Sequence, residues 1–137
     1  MAQLTPYINF AGKTAEALEF YEAIFGGEAD VQLAKEGPNA ANTPADKLDQ
    51  VFHSYYHNDH FAFMASDMMS DEAGRDVGNV LSLVLDCDSA EQLRDWFDKL
   101  ADGGKVVWPV RDSEWGSMFA QATDKFGITW LLNYAKQ

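Results

Sequence analysis

Three histidines lie close together in the sequence, and histidine is the side chain that most often binds metals or moves protons near neutral pH. They are His53, His57 and His60. If His53 and His57 share one extended strand, their Cα atoms are roughly 13 Å apart, at about 3.3 Å per residue. Two imidazoles so far apart cannot both reach one ion at the ~2.1 Å nitrogen distance. Only His57 and His60, which flank an Asn58-Asp59 turn, could approach one ion, and solvated turn histidines are the commoner outcome.

His53 differs from the other two because it lies within a strand-like run of aromatic residues. We interpret it either as a core or pocket histidine bonded to a neighbour, or as a residue that contacts a ligand or transfers a proton. It is the best candidate for a catalytic residue, since Gly-rich phosphate loops and a Gly-x-Ser-x-Gly elbow are absent from the sequence. Cys87 lies between Asp86 and Asp88, whose charges disfavour a thiolate, so we expect a buried spectator.

Length and charge narrow the class of protein. The chain has 137 residues, of which 47% are hydrophobic, and a formal net charge of -12. This composition predicts one globular domain. The negative charge would repel phosphate backbones, so nucleic acid is not an expected partner. A basic start followed by an apolar run is missing, as is any apolar stretch of membrane-spanning length, which predicts a soluble, cytoplasmic protein without a membrane partner.

The elements that must position these side chains occur twice. Ala15-Glu16-Ala17-Leu18 matches Ala90-Glu91-Gln92-Leu93, and each run opens a predicted helix. The helices end at the glycine pairs Gly26-Gly27 and Gly103-Gly104, since glycine readily adopts the left-handed conformation that follows a helix. Ser89 precedes the second helix at the position of a capping box. The sequence therefore predicts an internal duplication.

One strand-like run precedes each helix and three follow it, which gives a βαβββ module twice. The predicted strands are Tyr7–Phe10, Ala29–Ala34, Val51–His57, Phe61–Ala65, Val80–Leu85, Lys105–Val110, Met118–Thr123 and Ile128–Asn133. One module alone would expose an apolar sheet face, so we expect two modules to pack with their concave faces inward around a cavity. The prediction is an α+β fold of mixed, curved sheets with the helix pair outside.

This fold predicts a single domain over residues 1–137. Module one covers about 1–66, module two covers about 79–137, and a loop at 67–78 joins them. Polar residues fill that loop and the stretch 36–49. Each stretch is interpreted either as a lid over the cavity or as a surface insertion.

Five short motifs, in order along nearly the whole chain, resemble the PhnB-like branch of the vicinal oxygen chelate superfamily, which includes glyoxalase I, bleomycin-resistance proteins and extradiol dioxygenases. The motifs are Pro6–Phe10, Ala15–Tyr21 with its close at Phe25–Gly27, Ser66-Asp67, Trp115-Gly116 and Thr123–Trp130. The resemblance implies a homodimer built from paired βαβββ modules. Similar sequences have carried a ubiquinone-pathway methyltransferase label. The chain lacks a dinucleotide-type glycine motif and βαβ alternation, so the sequence does not support that label.

The resemblance also implies a divalent metal held by side chains on the first, fourth, fifth and eighth strands, often His or Glu. Transferred by spacing, these positions fall on Tyr7, Met64, Asn79 or Val80, and Leu131. None is a histidine or a carboxylate, so a hard or borderline cation would lack adequate ligands. We therefore predict no bound metal cofactor at this position.

Strand alternation places Tyr7 and Asn9 on the cavity side of the first strand, and the same reasoning selects Met64 and Leu131 on later strands. The resulting pocket is apolar with a few hydrogen-bonding groups and suits a flat or amphipathic small molecule. Ordinary core packing is the alternative for each aromatic residue. The predicted ligand-binding residues are Tyr7, Asn9, His53, Met64, Asp67, Trp108, Trp115, Phe119 and Leu131.

Three functional hypotheses follow. The first is a metal-free small-molecule binding protein with an apolar pocket. The second is a lyase, isomerase or dioxygenase of the same superfamily that holds a divalent metal through another ligand set, such as His53, Asp67 and a water. The third is a structural or regulatory dimer with a vestigial cavity.

Overall fold

The structure is a computed structural model, and it describes residues 4–38, 40–67, 81–112 and 116–135. The Cα positions group into two units, residues 1–76 and 77–137, each with one α-helix and one four-stranded sheet. The elements of unit 1 are β1 (Tyr7–Asn9), α1 (Thr14–Phe25), β2 (Glu28–Leu33), β3 (Val51–His57) and β4 (Ala62–Ser66). The elements of unit 2 are β5 (Leu83–Asp86), α2 (Ala90–Ala101), β6 (Lys105–Asp112), β7 (Ser117–Thr123) and β8 (Thr129–Ala135).

The two sheets share one topology. Their strand orders are β1-β4-β3-β2 and β5-β8-β7-β6. In each sheet the first listed pair, β1 with β4 and β5 with β8, is parallel, and the other two pairs are antiparallel. The predicted βαβββ order is thus present twice, and the predicted α+β class is confirmed.

The two helices begin in different ways. Ser89 caps α2 as predicted, because its Oγ accepts a hydrogen bond from the backbone N–H of Gln92 at 3.0 Å. Lys13 at the corresponding position of α1 offers no side-chain cap. Instead, the N–H of Thr14 donates to the carboxylate of Asp67 at 3.0 Å. The start of α1 therefore depends on a residue 53 positions further along the chain.

A glycine after each helix lets the next strand pass close to the end of a neighbouring strand. A Cβ added to Gly27 would lie 2.1 Å from the carbonyl oxygen of His57, and one added to Gly104 would lie 2.2 Å from that of Thr123. Real Cβ atoms do not approach this closely, so both positions exclude other residues. The second glycine of each predicted pair is the one that this crossing requires.

Each core lies between the helix and one face of its sheet. In unit 1 it is built from aromatic residues: the ring of Phe63 packs edge-on against Tyr21 at 5.7 Å and lies 5.1 Å from Tyr56. In unit 2 the apolar stripe of α2 is buried, as are Trp130 and Leu132 of β8. The alternating burial along β7 and β8 matches sheets with one covered face.

The strand boundaries differ from prediction mainly in unit 2. The predicted strand Val80–Leu85 is β5 at Leu83–Asp86, and β6 extends two residues beyond the predicted Val110. Pro109 is tolerated inside β6 because this strand lies at the edge of its sheet, where one row of N–H groups has no neighbour.

The polar stretch 36–49 carries short 3₁₀ turns at Ala40–Asn42 and Ala45–Lys47, after one at Ala34–Glu36. Lys35, which precedes this stretch, forms an ion pair with Asp49 at its end, with 3.0 Å between Nζ and Oδ1. The second stretch, 67–78, lies outside the described residues after Asp67, and both lid interpretations stay predictions. Among the residues that the structure describes, no helix is long and apolar enough to cross a membrane.

Candidate binding faces of the two sheets

Each sheet has a face that its own helix does not cover, which we call the helix-free face. Residues directly opposite each other on neighbouring strands point to the same side, so the register identifies its members. In unit 1 one row across the sheet is Tyr7, Met64, Tyr55 and Asp30. Asn9, Ser66, His53 and Gln32 lie in the next row, two residues along each strand. The predicted candidates Tyr7, Asn9, His53 and Met64 therefore share one face.

Tyr7 and His53 are close neighbours on this face. Their ring centroids are 6.1 Å apart, with the planes inclined by 37°. Tyr7 is 49% exposed and His53 is partly exposed. A phenol and an imidazole side by side offer a hydrogen-bond donor and an acceptor to a molecule lying on Met64 between their strands.

The other two histidines lie at the turn end of β3. His57 Nε2 is 3.6 Å from Glu28 Oε1 across the β2–β3 ladder, and the backbone N–H of His60 donates to Asn58 Oδ1 at 2.7 Å. No cluster of three or more His, Cys, Asp or Glu side chains suited to a metal ion occurs within residues 4–38, 40–67, 81–112 and 116–135.

The carboxylate of Asp67 accepts hydrogen bonds within its own unit, mostly from backbone N–H groups. The residue is 2% exposed. Its Oδ1 accepts from the N–H groups of Gly12 at 2.9 Å and Thr14 at 3.0 Å and from the Thr14 hydroxyl, and its Oδ2 accepts from the N–H of Val51 at 2.8 Å. The structure thus places Asp67 where it ties the β1–α1 loop, β3 and the end of β4 together.

The helix-free face of unit 2 carries two rows in the same register. The first row is Val84, Leu131, Gln121 and Trp108, and the second is Asp86, Asn133, Phe119 and Arg111. Trp108 is 47% exposed and Val84 is 58% exposed. The structure therefore brings together the predicted candidates Trp108, Phe119 and Leu131. Trp115, predicted beside them, lies outside the described residues.

Arg111 joins this face although sequence reasoning missed it. Its guanidinium carbon lies 4.9 Å from the ring centroid of Trp108 and 4.9 Å from that of Phe119. Simple alternation would place residue 111 on the opposite side of β6 from residue 108. Register shifts on both sides of Trp108, between 106 and 108 and between 108 and 111, return Arg111 to the same face. Such bulges leave no clear signal in one sequence.

The structure corrects one of the four positions to which the resemblance assigned a metal. In unit 1 the first-strand position Tyr7 lies opposite the fourth-strand position Met64. In unit 2 the residue opposite Leu131 is Val84, so Val84, not Asn79 or Val80, is the matching position on the fifth strand. The shift arises because β5 begins at Leu83; residues 79 and 80 are outside the described ranges. Neither the phenol and thioether of unit 1 nor the two alkyl groups of unit 2 are ligands that a hard or borderline divalent cation prefers.

Cys87, which follows β5, is buried as expected. Burial, together with the smaller effects of the nearby charges of Asp86 and Asp88, raises the pKa of its thiol to about 11. The thiol is therefore protonated at neutral pH, and it is a poor nucleophile.

The repeated βαβββ units, each with a mixed sheet, define a glyoxalase-like fold. A glyoxalase/bleomycin resistance/dioxygenase family enzyme from Burkholderia phytofirmans PsJN shares it, with a TM-score of 0.61 at 11% identity over 96% of this chain and 95% of that one. Within this class the chain belongs to the PhnB-like family: the family model described as 3-demethylubiquinone-9 3-methyltransferase matches residues 2–133. The predicted resemblance is confirmed.

Two relatives match almost end to end. The Escherichia coli (strain K12) protein YjdN is 30% identical over 141 residues, covering 98% of this chain and 96% of its own length. A solved structure from Bacillus cereus, described as a putative 3-demethylubiquinone-9 3-methyltransferase, PhnB protein, is 26% identical with a TM-score of 0.81. It covers 98% of this chain and 100% of its own.

Proposed function

We propose that this chain is a small-molecule binding protein that holds an amphipathic ligand on the helix-free faces of its sheets without a protein-bound metal. The observation that carries the proposal is the identity of the register-matched positions Tyr7, Met64, Val84 and Leu131. They are aromatic or aliphatic where the related enzymes need metal ligands, and two of them are about half exposed. Exposed apolar side chains arranged in rows are typical of a binding surface.

Apolar contact alone would bind weakly. Covering roughly 200 Å² of apolar surface contributes about 5 kcal/mol at 25 cal/mol per Å². Immobilising a ligand costs a similar amount, on the order of 4 kcal/mol or more. The polar side chains on the same faces, Tyr7 and His53 in unit 1 and Gln121 and Arg111 in unit 2, would therefore set affinity and specificity.

We do not extend methyl transfer to this chain, although the family description and that of the Bacillus cereus protein name it. Each described sheet has one parallel pair, and the sequence lacks the glycine-rich turn that opens a nucleotide-binding βαβ unit. The metal-dependent enzyme and the homodimer also stay hypotheses. Light scattering on a size-exclusion column tests the dimer.

Metal analysis of protein purified without a histidine tag tests the metal-free half of the proposal. We expect zinc, nickel, manganese and iron each well below one equivalent per chain. One equivalent of any of them, lost in the His53→Ala variant, would overturn this half and favour a metal-dependent enzyme.

Calorimetric titration with the uncharged bicyclic probe 2-naphthamide tests the binding half. We expect measurable binding that Trp108→Ala weakens several-fold, because the exposed indole supplies much of the apolar area on its face. Val106→Ala is the matched control: Val106 lies on the same strand and is 48% exposed, but it pairs with Ala122 on the helix side. Absence of binding, or equal weakening by both substitutions, would contradict the proposal.

A further inference from the structure

We infer that the helix-free face of unit 2 takes a planar organic monocarboxylate, with Arg111 binding the carboxylate. The inference rests on the proposed function and adds the charge and shape of the ligand. Its basis is the arrangement of one cation, two aromatic rings and an adjacent apolar row on a single sheet face.

The two rings restrict Arg111 in a way that prepares it for an anion. Its guanidinium lies 4.9 Å from the centroids of both Trp108 and Phe119. A guanidinium this close to aromatic rings interacts with them through its charge and leaves its N–H donors for other partners. These donors match the two oxygens of a carboxylate. The contacts with the rings also lower the entropy lost when the side chain is fixed by a ligand.

Arg111 has no carboxylate partner within the described part of the chain. In the same part of the chain Lys35 forms an ion pair with Asp49, and Lys99 forms one with Asp95. Arg111 is exposed and forms none, although the chain has 22 Asp and Glu residues against 10 Lys and Arg. A cation that has no carboxylate partner among the described residues of so acidic a chain is available to an external anion.

The rest of the face indicates one negative charge and a flat body. Asp86 is the carboxylate at the far end of Arg111's row, about 14 Å away at roughly 4.8 Å per strand. Its Oδ1 accepts from Asn133 Nδ2 at 3.2 Å. Together with the net charge of -12, this carboxylate opposes a second negative group on the ligand.

The adjacent row supplies the surface for the body of the ligand. Leu131, Gln121 and Trp108 lie side by side on three strands and span about 10 Å. This length accommodates two fused six-membered rings, with the carboxylate directed toward the neighbouring row and Arg111. The Gln121 amide lies between the two apolar residues and offers a hydrogen bond to a polar ring substituent.

Calorimetry with a pair of probes tests the inference. 2-Naphthoate carries the carboxylate at neutral pH, and 2-naphthamide has nearly the same shape without the charge. We expect the intact chain to bind 2-naphthoate about tenfold more tightly, which is a reasonable gain for a charge-assisted hydrogen-bond pair. In Arg111→Gln this preference should disappear, while the affinity for 2-naphthamide changes little. Arg111→Lys should keep part of it, because the charge stays but the planar fork is lost.

Arg94→Gln is the charge-matched control. It removes one positive charge from the exposed side of α2 and should keep the tenfold preference. Equal affinity of both probes for the intact chain, or a preference that persists in Arg111→Gln or falls equally in Arg94→Gln, would overturn the inference and leave the binding protein. Failure of both probes to bind would overturn the proposed function together with the inference.

Discussion

Units 1 and 2 share one strand order but present different chemistry on their helix-free faces. At the edge strand of unit 1 the face carries acidic and amide side chains, Asp30 and Gln32. At the matching edge of unit 2 it carries Trp108 and Arg111. On the inner strands the helix-free face of the first unit carries Met64, Tyr55 and His53, whereas that of the second carries Leu131, Gln121 and Phe119. The duplication thus repeats the frame and changes the surface.

The features that the units do share serve the backbone. Gly27 and Gly104 both permit a strand to pass a carbonyl group. The turns that follow β3 and β7 are also alike: Asn58 Oδ1 accepts two backbone N–H bonds at 2.7 and 2.9 Å, and Asp124 Oδ1 accepts two at 2.9 and 3.1 Å. At these two places the residues that serve the backbone are alike in both units, whereas the residues on the helix-free faces differ.

Alanine at three glycines should give the largest effects and separates two kinds of cost. At Gly104 an added Cβ would collide with a carbonyl oxygen, but φ is not positive. At Gly26 φ is 73°, but the space around an added Cβ is open. At Gly27 φ is 85° and an added Cβ would also collide with a carbonyl oxygen. Collision and backbone strain each cost about 1–3 kcal/mol. We expect Gly27→Ala to lower the free energy of unfolding by about 4 kcal/mol in urea titrations. If Gly27→Ala loses less stability than Gly26→Ala or Gly104→Ala, the close approach of Gly27 to the His57 carbonyl would be contradicted.

Amide replacement of two buried aspartates tests how each unit is held together internally. In Asp67→Asn and Asp124→Asn the new NH₂ group must face an N–H donor, because both oxygens accept from donors in each residue. Asp67 holds three separate chain segments, so we expect a loss of about 3 kcal/mol there and about 2 kcal/mol for Asp124. Urea midpoints measure both. A larger loss in Asp124→Asn than in Asp67→Asn would show that the Asp124 turn contributes more to stability than the bonds of Asp67.

The Tyr56 hydroxyl joins the end of α1 to β3, a bond with no counterpart among the described residues of unit 2. It donates to the carbonyl oxygen of Gly26 at 2.6 Å and accepts from Asn58 at 3.0 Å. Burial raises its pKa, and so does the charge of Glu22. Tyr56→Phe should cost about 1–2 kcal/mol at pH 7. Tyr55→Phe, one residue away on the helix-free face, is the control and should cost less than about 0.5 kcal/mol. Equal losses of stability in the two variants would contradict a stabilising role for the Tyr56 hydroxyl.

The protonation of Cys87 should have the smallest effect on stability at neutral pH. Cys87 occupies the position after β5 that Phe10 occupies after β1, since their N–H groups donate to Asn133 and Ser66. The pKa of this thiol is about 11, against 9.0 for a free group, so between these pH values the native state keeps a proton that the unfolded state loses. The resulting stabilisation is complete below pH 9 and is lost as the pH rises through 11. A disulfide reagent should react slowly at pH 8 and faster above pH 10; rapid reaction at pH 8 would contradict the burial.

Local patterns were sufficient to predict most of the fold. The alternation over Val51–His57 gave the bounds of β3, and Ser89 gave the start of α2, because these signals depend on neighbours in the sequence. Alternation also selected Tyr7, Asn9 and Met64, and the strand register shows that His53 lies on the same face.

The remaining features depend on contacts or irregularities that one sequence does not encode locally. Arg111 reached its face through two register shifts in β6. Asp67 was predicted as a ligand residue because a polar side chain follows β4, but its partners lie 16 to 55 positions away. The position opposite Leu131 was misplaced because it was counted along the chain and not across the sheet.

The dependence of α1 on Asp67 also has a consequence for the order in which the protein is made. During synthesis, residues 14–25 leave the ribosome long before residue 67, so the first helix emerges without the carboxylate that completes its start. The second helix carries its own cap and needs no later residue. A chain interrupted before position 67 would therefore hold an incomplete first unit, whereas the start of α2 is satisfied as soon as Ser89 and Gln92 have emerged.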